Sequence, residues 1–95
     1  MTMLLEAPML AGSRPRAQQI FAELPTDLTG KTIQLHCAAL VAATESFADE
    51  VLVQVLVERN ADRLEVTSVS DQEFITYLHE RAEKRGVLDR LHVVS

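Results

Sequence analysis

The stretch Lys31-Thr32-Ile33-Gln34-Leu35-His36-Cys37 decides the fold, because apolar and polar residues alternate along it. The side chains of a β-strand point to opposite faces with a period of two residues, so Ile33, Leu35 and Cys37 share one face. Such alternation predicts a strand with one face packed on a core and the other face in water.

Three further segments complete the predicted sheet. Residues 63–68 and 90–94 show the same alternation, and residues 1–5 form a short apolar segment at the start of the sequence. We therefore predict a strand at each of these places.

Helical patterns separate the predicted strands. Ser13 can cap a first helix that ends before Pro25, because Ser is a good N-cap and Pro stops a helix. Ser70 and Glu73 have the spacing of a capping box for the last helix, and Gly86 suits the left-handed residue at its end.

The middle helix, residues 46–59, holds a conflict between propensity and periodicity. Its valine-rich part, residues 51–57, favours a strand, because β-branched side chains lose rotamer freedom in a helix. Ser46 can cap a helix, however, and apolar residues repeat with i, i+4 spacing from Phe47 onward. A strand of this length would also be unusual in so small a domain. We therefore predict a helix here.

These elements predict one domain over residues 1–95 with the order β-α-β-α-β-α-β. Because each predicted strand has one polar face, all three helices are expected mainly on one side of a sheet of about four strands. The predicted fold class is therefore a two-layer α/β sandwich.

Composition narrows the function. A net charge of −5 argues against a nucleic-acid partner, and no apolar stretch is long enough for a membrane span. Cys37 is the single cysteine, which fits a reducing cytoplasm. With three glycines and no catalytic motif, we expect neither enzymatic activity nor a cofactor.

Two stretches resemble the STAS-like domains of unknown function, a bacterial family. Ser46-Phe47-Ala48-Asp49-Glu50-Val51 is similar to the Phe-Ala-Asp-Glu helix start of that family. Upstream, Ser13-Arg14, followed by Ala17, resembles its Ser-Arg-x-x-Ala opening of the first helix. The resemblance spans about residues 13–85.

This resemblance implies a STAS-like fold and a regulatory module without catalytic activity. STAS domains, including the anti-sigma-factor antagonists, dock on kinases of the histidine-kinase ATPase type or on other regulators. In the antagonists, a Ser or Thr at the start of the corresponding helix is phosphorylated, which adds charge to the docking surface. Here Phe47 falls near that position, and the flanking Thr44 and Ser46 are the candidate phosphoacceptors.

The expected partner-binding surface lies at the start of the middle helix and consists of Thr44, Ser46, Asp49 and Glu50, with Arg14 nearby. Simpler explanations exist for each residue: Ser46 as an N-cap, the two acids as favourable charges beside the helix dipole, and Arg14 as a solvated cation. If the surface docks a partner, Asp49→Arg is expected to abolish docking and leave the fold unchanged.

Two alternatives remain open. Val53 and Val57 lie off the main apolar stripe of the middle helix and could assemble a homo-oligomer or a larger complex. His36, Glu65 and His92 point to the open face of the sheet and could serve a small enzyme or a metal-binding protein, although no close ligand spacing favours a metal site.

Overall fold

A four-stranded, fully parallel sheet forms the centre of the computed structural model, which describes residues 2–94. Its strands lie in the order β1 (Thr2–Glu6), β3 (Thr32–His36), β5 (Arg63–Thr67) and β6 (Leu91–Val94). Two further short strands, β2 (Leu10–Ala11) and β4 (Ala42–Ala43), pair with each other in a separate parallel ladder. Of the first predicted strand, Met1 lies outside the described residues.

Three α-helices connect the strands of the main sheet: α1 (Arg14–Phe21), α2 (Glu45–Leu52) and α3 (Gln72–Lys84). A π-helical segment, Val53–Glu58, continues α2 without a break, and a 3-10 turn, Leu88–Arg90, precedes β6. The valine-rich segment is therefore helical, as its periodicity predicts, although its second half has the wider π geometry.

The strand order explains why one face of the sheet is open. Each main strand lies beside the one before it, so every crossover moves in the same direction across the sheet. Since such crossovers are right-handed, all three helices fall on the same face. Ile33, Leu35, Leu64 and Val66 are fully buried on that face, whereas their strand neighbours on the other face are partly exposed. This agrees with the predicted two-layer α/β arrangement.

The three helices pack against the sheet and against each other through one apolar core. Each contributes a fully buried phenylalanine: Phe21, Phe47 and Phe74. The rings of Phe47 and Phe74 lie 6.1 Å apart between centroids with a tilt of 47°, a favourable aromatic geometry. Cys37 is also buried, as predicted, and burial raises the pKa of its thiol to about 12, so it remains a protonated apolar group.

The helix starts confirm one predicted cap and correct two. Ser13 Oγ accepts the Arg16 N–H at 3.3 Å, as predicted for α1. For α2, however, Thr44 Oγ1 accepts the Phe47 N–H at 3.1 Å, so Thr44 is the N-cap and Ser46 lies inside the helix. The cap of α3 is Asp71, not Ser70.

The backbone explains the shift at α2. The Thr44 N–H donates to the Ala11 carbonyl at 3.0 Å, which extends the β2–β4 pairing by one residue. Thr44 is thereby held in the extended conformation that an N-cap requires, with φ −89° and ψ 163°. The helix consequently begins at Glu45.

Candidate functional site

Asp49 and Glu50 lie inside the helical layer and not on its surface. Only 1% of Asp49 and 6% of Glu50 is exposed. Asp49 accepts two hydrogen bonds from Arg85, one from Nε and one from Nη2, both at 2.7 Å. It accepts a third from Arg14 Nη1 at 2.8 Å. The carboxylate of Asp49 therefore joins α2 to α1 and to the residue that ends α3.

Glu50 extends these interactions to further residues of α1 and of the π-helical segment. Its Oε1 lies 3.3 Å from Arg14 Nη1, and its Oε2 accepts from Gln54 Nε2 at 2.6 Å and from Gln18 Nε2 at 3.3 Å. We call Arg14, Asp49, Glu50 and Arg85 the ion cluster. Every carboxylate oxygen in it has a donor, as buried charges require.

The ion cluster changes the acidity of its members. Hydrogen bonds from Arg85, and secondarily from Arg14, lower the pKa of Asp49 to about 2 despite the opposing effect of burial. The hydrogen bond to Asp49 in turn raises the pKa of both Arg14 and Arg85. Asp49 is therefore ionised at neutral pH.

Two expectations from the sequence are corrected here. The structure does bring Arg14 together with Asp49 and Glu50, but as internal ion pairs, so the two acids cannot form an exposed docking edge. The reason is that this part of α2 packs between α1 and α3. Asp49→Arg would place a third cation between Arg14 and Arg85, so the fold cannot be expected to stay unchanged.

The two stretches that carry the STAS-like resemblance meet at the ion cluster. Arg14 from the first stretch binds both acids of the second. The other members also have structural roles: Ser13 caps α1, while Ala17, Phe47 and Ala48 are buried. The motif residues therefore hold the helical layer together.

The remaining predicted residues lie at the exposed start of α2. Ser46 and Glu45 are exposed on the first turn, and Glu45 Oε1 pairs with Arg81 Nη2 of α3 at 2.9 Å. Thr44 is exposed, but its hydroxyl is engaged in the cap. Of the two candidate phosphoacceptors, Ser46 is the one whose hydroxyl does not cap the helix.

Three large apolar side chains are exposed beside this start, and we call them the apolar edge. The exposed fractions are 62% for Met9, 66% for Leu10 and 66% for Val41. Their two loops are tied together, because the Val41 N–H donates to the Met9 carbonyl at 2.8 Å and β2 pairs with β4. The apolar edge is therefore part of ordered backbone.

A shallow groove continues the apolar edge toward the start of α2. It has a volume of about 170 Å³ and is lined by the residues of the β2–β4 ladder and its ends: Leu10, Ala11, Gly12, Ala42, Ala43 and Thr44. Apart from the threonine hydroxyl, the groove offers only apolar side chains and backbone. It is suited to apolar groups of a partner and not to polar chemistry.

The apolar edge is absent from the sequence-based predictions, which give residues 1–10 only a strand over residues 1–5. The available signal is two pairs of adjacent apolar residues, Met9-Leu10 and Leu40-Val41, in connections that follow strands. Leu40 is buried while the other three are exposed. Sequence pattern alone does not separate these outcomes.

Carboxylates gather on the other side of the α2 start. The Tyr77 hydroxyl donates to Glu73 Oε2 at 3.3 Å, and the charges of Glu45 and Asp71 also act on it. Their negative charges, with Glu73 first, raise the pKa of Tyr77. We call these three acids the acidic cluster. Arg81 is the one cation that pairs with it among the described residues.

The residues of the alternative hypotheses lie elsewhere. Val53 is partly buried, and Val57 is exposed by 46%. On the open sheet face, His36 Nδ1 contacts Thr67 Oγ1 at 3.2 Å, and Glu65 lies beside His92 in register. Within residues 2–94, no group of three or more His, Cys, Asp or Glu side chains could hold a metal ion.

Comparisons with known proteins return no matching protein-family model, no matching curated protein and no matching solved structure. In the part of the chain that the structure describes, every helix is too short or too polar to cross a membrane.

Proposed function

We propose that this domain is a regulatory protein-binding module that docks on its partner through the surface at the start of α2. The docking surface consists of the apolar edge, the groove beside it, and the exposed Thr44, Glu45 and Ser46. Asp49, Glu50 and Arg14 support it from inside by fixing α2 against its neighbours.

One observation carries this proposal. Met9, Leu10 and Val41 are each more than 60% exposed and lie on two connections that backbone hydrogen bonds tie together. Exposed apolar residues are ordinary when scattered, but a contiguous group on ordered backbone is typical of an interaction site.

The kind of partner is proposed from the resemblance to STAS-like domains. A kinase of the histidine-kinase ATPase type, or another regulator, would cover the start of α2. A phosphate on Ser46 would then add about −1.5 to −2 charge and three acceptor oxygens to the docking surface, beside the acidic cluster, and would alter docking there.

The test is affinity capture from cells that naturally produce the protein, followed by titration of the purified domain with the purified captured protein. Leu10→Ser combined with Val41→Ser removes two exposed apolar side chains without touching the core. We expect this double variant to lose the partner, with at least about tenfold weaker binding.

Val57→Ser is the matched control, because it also removes an exposed apolar side chain from another surface. We expect this variant to bind like the wild type. Equal binding by the double variant, or loss of binding in Val57→Ser alone, would refute the docking surface.

A further inference from the structure

Two of the three acids in the acidic cluster have no cationic partner among the described side chains. Asp71 and Glu73 form no ion pair with any described side chain. Among these side chains, Glu45 forms an ion pair only with Arg81. Two of these acids lie where α3 begins, Asp71 as its N-cap and Glu73 in its first turn, and α3 packs against β4 and α2. The apolar groove and the acidic cluster therefore flank the same helix start.

A second copy of this chain fits this surface poorly. Each copy carries a net charge of −5 and would bring its own unpaired carboxylates to the contact. Like charges brought together in an interface cost several kcal/mol, on the order of the whole gain from a small apolar patch. Charge complementarity instead calls for Lys or Arg on the partner.

The shape of the surface favours a helix over an added strand. β2 and β4 have two residues each, so they offer few backbone groups to an incoming strand. A groove lined by small side chains, with large apolar side chains at its border, suits the apolar face of a helix.

Building on the proposed function, we propose that the docking segment of the partner is a basic amphipathic helix. Its apolar face covers Leu10 and Val41, and its Lys or Arg residues reach Glu45, Asp71 and Glu73. The acidic cluster thereby selects among partners that the apolar edge alone would accept.

Two labelled peptides of about four helical turns provide the probe. Both carry Leu at i, i+3, i+4 and i+7 repeats, and their polar face consists of Lys in one and Glu in the other. Fluorescence anisotropy measures their binding to the wild-type domain at about 50 mM and about 500 mM salt.

The decisive variant combines Asp71→Asn with Glu73→Gln. Asn keeps the oxygen that accepts the Glu73 N–H at 3.1 Å, and Gln keeps an acceptor for the Tyr77 hydroxyl, so only charge is removed. Glu80→Gln with Glu83→Gln is the matched control, since it removes the same charge from exposed positions further along α3.

We expect the Lys peptide to bind the wild type and the control pair equally. Binding to the Asp71→Asn, Glu73→Gln variant should be about fivefold to tenfold weaker at low salt, with little difference at high salt. Leu10→Ser should weaken binding at both salt concentrations. Equal binding of the Glu peptide, no binding of the Lys peptide, or the same loss in the control pair would each overturn the proposal.

These outcomes are separable from the failure of the proposed function. The Leu10→Ser, Val41→Ser variant could lose a captured partner that the Asp71→Asn, Glu73→Gln variant binds fully. That result would support the docking surface and refute the basic helix. If the captured partner is indifferent to Leu10 and Val41, the docking surface itself is wrong.

Discussion

At the residue scale, Asp49 of α2 joins all three helices, through Arg14 of α1 and Arg85 at the end of α3. Three hydrogen bonds to two arginines compensate the cost of removing its charge from water. Arg14 and Arg85 are themselves partly exposed, so solvent screens part of the attraction. Loss of the carboxylate would leave two cations close together over the end of the core.

Asp49→Asn tests this role. We expect a loss of about 2–4 kcal/mol in the free energy of unfolding, because one partner of a buried ion pair is removed. Urea titration followed by circular dichroism measures it. Asp89→Asn, at an exposed position, is the control and should stay within about 0.5 kcal/mol of the wild type.

The same carboxylate gives the stability a defined pH dependence. The pKa of Asp49 is about 2 in the folded state against an ordinary value of 3.8, so the unfolded chain takes up the proton first as the pH falls. The stabilisation from ionised Asp49 is therefore complete above about pH 5 and is lost between about pH 4 and pH 2.

Urea titrations of the wild type and Asp49→Asn over this range isolate the effect from that of other carboxylates. We expect the gap in stability between the two proteins to narrow as the pH falls. A gap that stays constant down to about pH 2 would contradict the assigned pKa.

The position of Asp49 could not be predicted from sequence pattern. Its arginine partners lie 35 and 36 positions away, whereas helical periodicity reports only neighbours within a few residues. An acidic side chain near a helix start interacts favourably with the helix dipole whether it is exposed or buried. Acidic side chains are rarely buried unless they are paired with a cation. Exposure is therefore the default expectation, and here it is wrong.

At the element scale, the start of α2 is fixed from outside the helix. The β2–β4 ladder holds Thr44 extended, and this places the cap two residues before the one that the sequence predicts. The two-residue strands Leu-Ala and Ala-Ala show no alternation of apolar and polar residues, so no local sequence pattern predicts their pairing. The type and order of the longer elements, by contrast, follow from periodicity.

Thr44→Ala and Ser46→Ala separate the two caps. We expect Thr44→Ala to lower the free energy of unfolding by about 1 kcal/mol, because the Phe47 N–H loses its acceptor. Ser46→Ala should change it by less than about 0.5 kcal/mol, since Ala is a good helix residue at an exposed position. Thermal or urea unfolding of both variants measures these changes. A larger loss of stability in Ser46→Ala than in Thr44→Ala would show that Ser46 is the N-cap.

At the scale of the whole molecule, a fully parallel sheet covered on one side is unusual, because such sheets normally have helices on both faces. Here the strand order follows the chain order, which sends every helix to the same side. The open face is tolerated because polar residues such as Gln34, Glu65 and His92 line it in register. The alternation of apolar and polar residues along Lys31–Cys37 already predicts one packed face and one polar face of the sheet.

Adjacent residues of β3 test the two faces. Leu35→Ala should cost about 2–5 kcal/mol, because Leu35 is fully buried beneath the helices. Gln34→Ala, one residue away on the open face, should cost less than about 1 kcal/mol. Comparable losses in the two variants, measured by urea unfolding, would mean that the open face is covered in solution.

Site-specific photocrosslinking in the producing cells tests whether a partner docks through the start of α2. A benzophenone amino acid replaces Leu10 on the apolar edge in one variant and Val57, on another surface, in a second. We expect a crosslink to one discrete partner protein from position 10 and none to that protein from position 57. A partner crosslinked from position 57 alone, or no crosslink from position 10, would contradict docking through the start of α2.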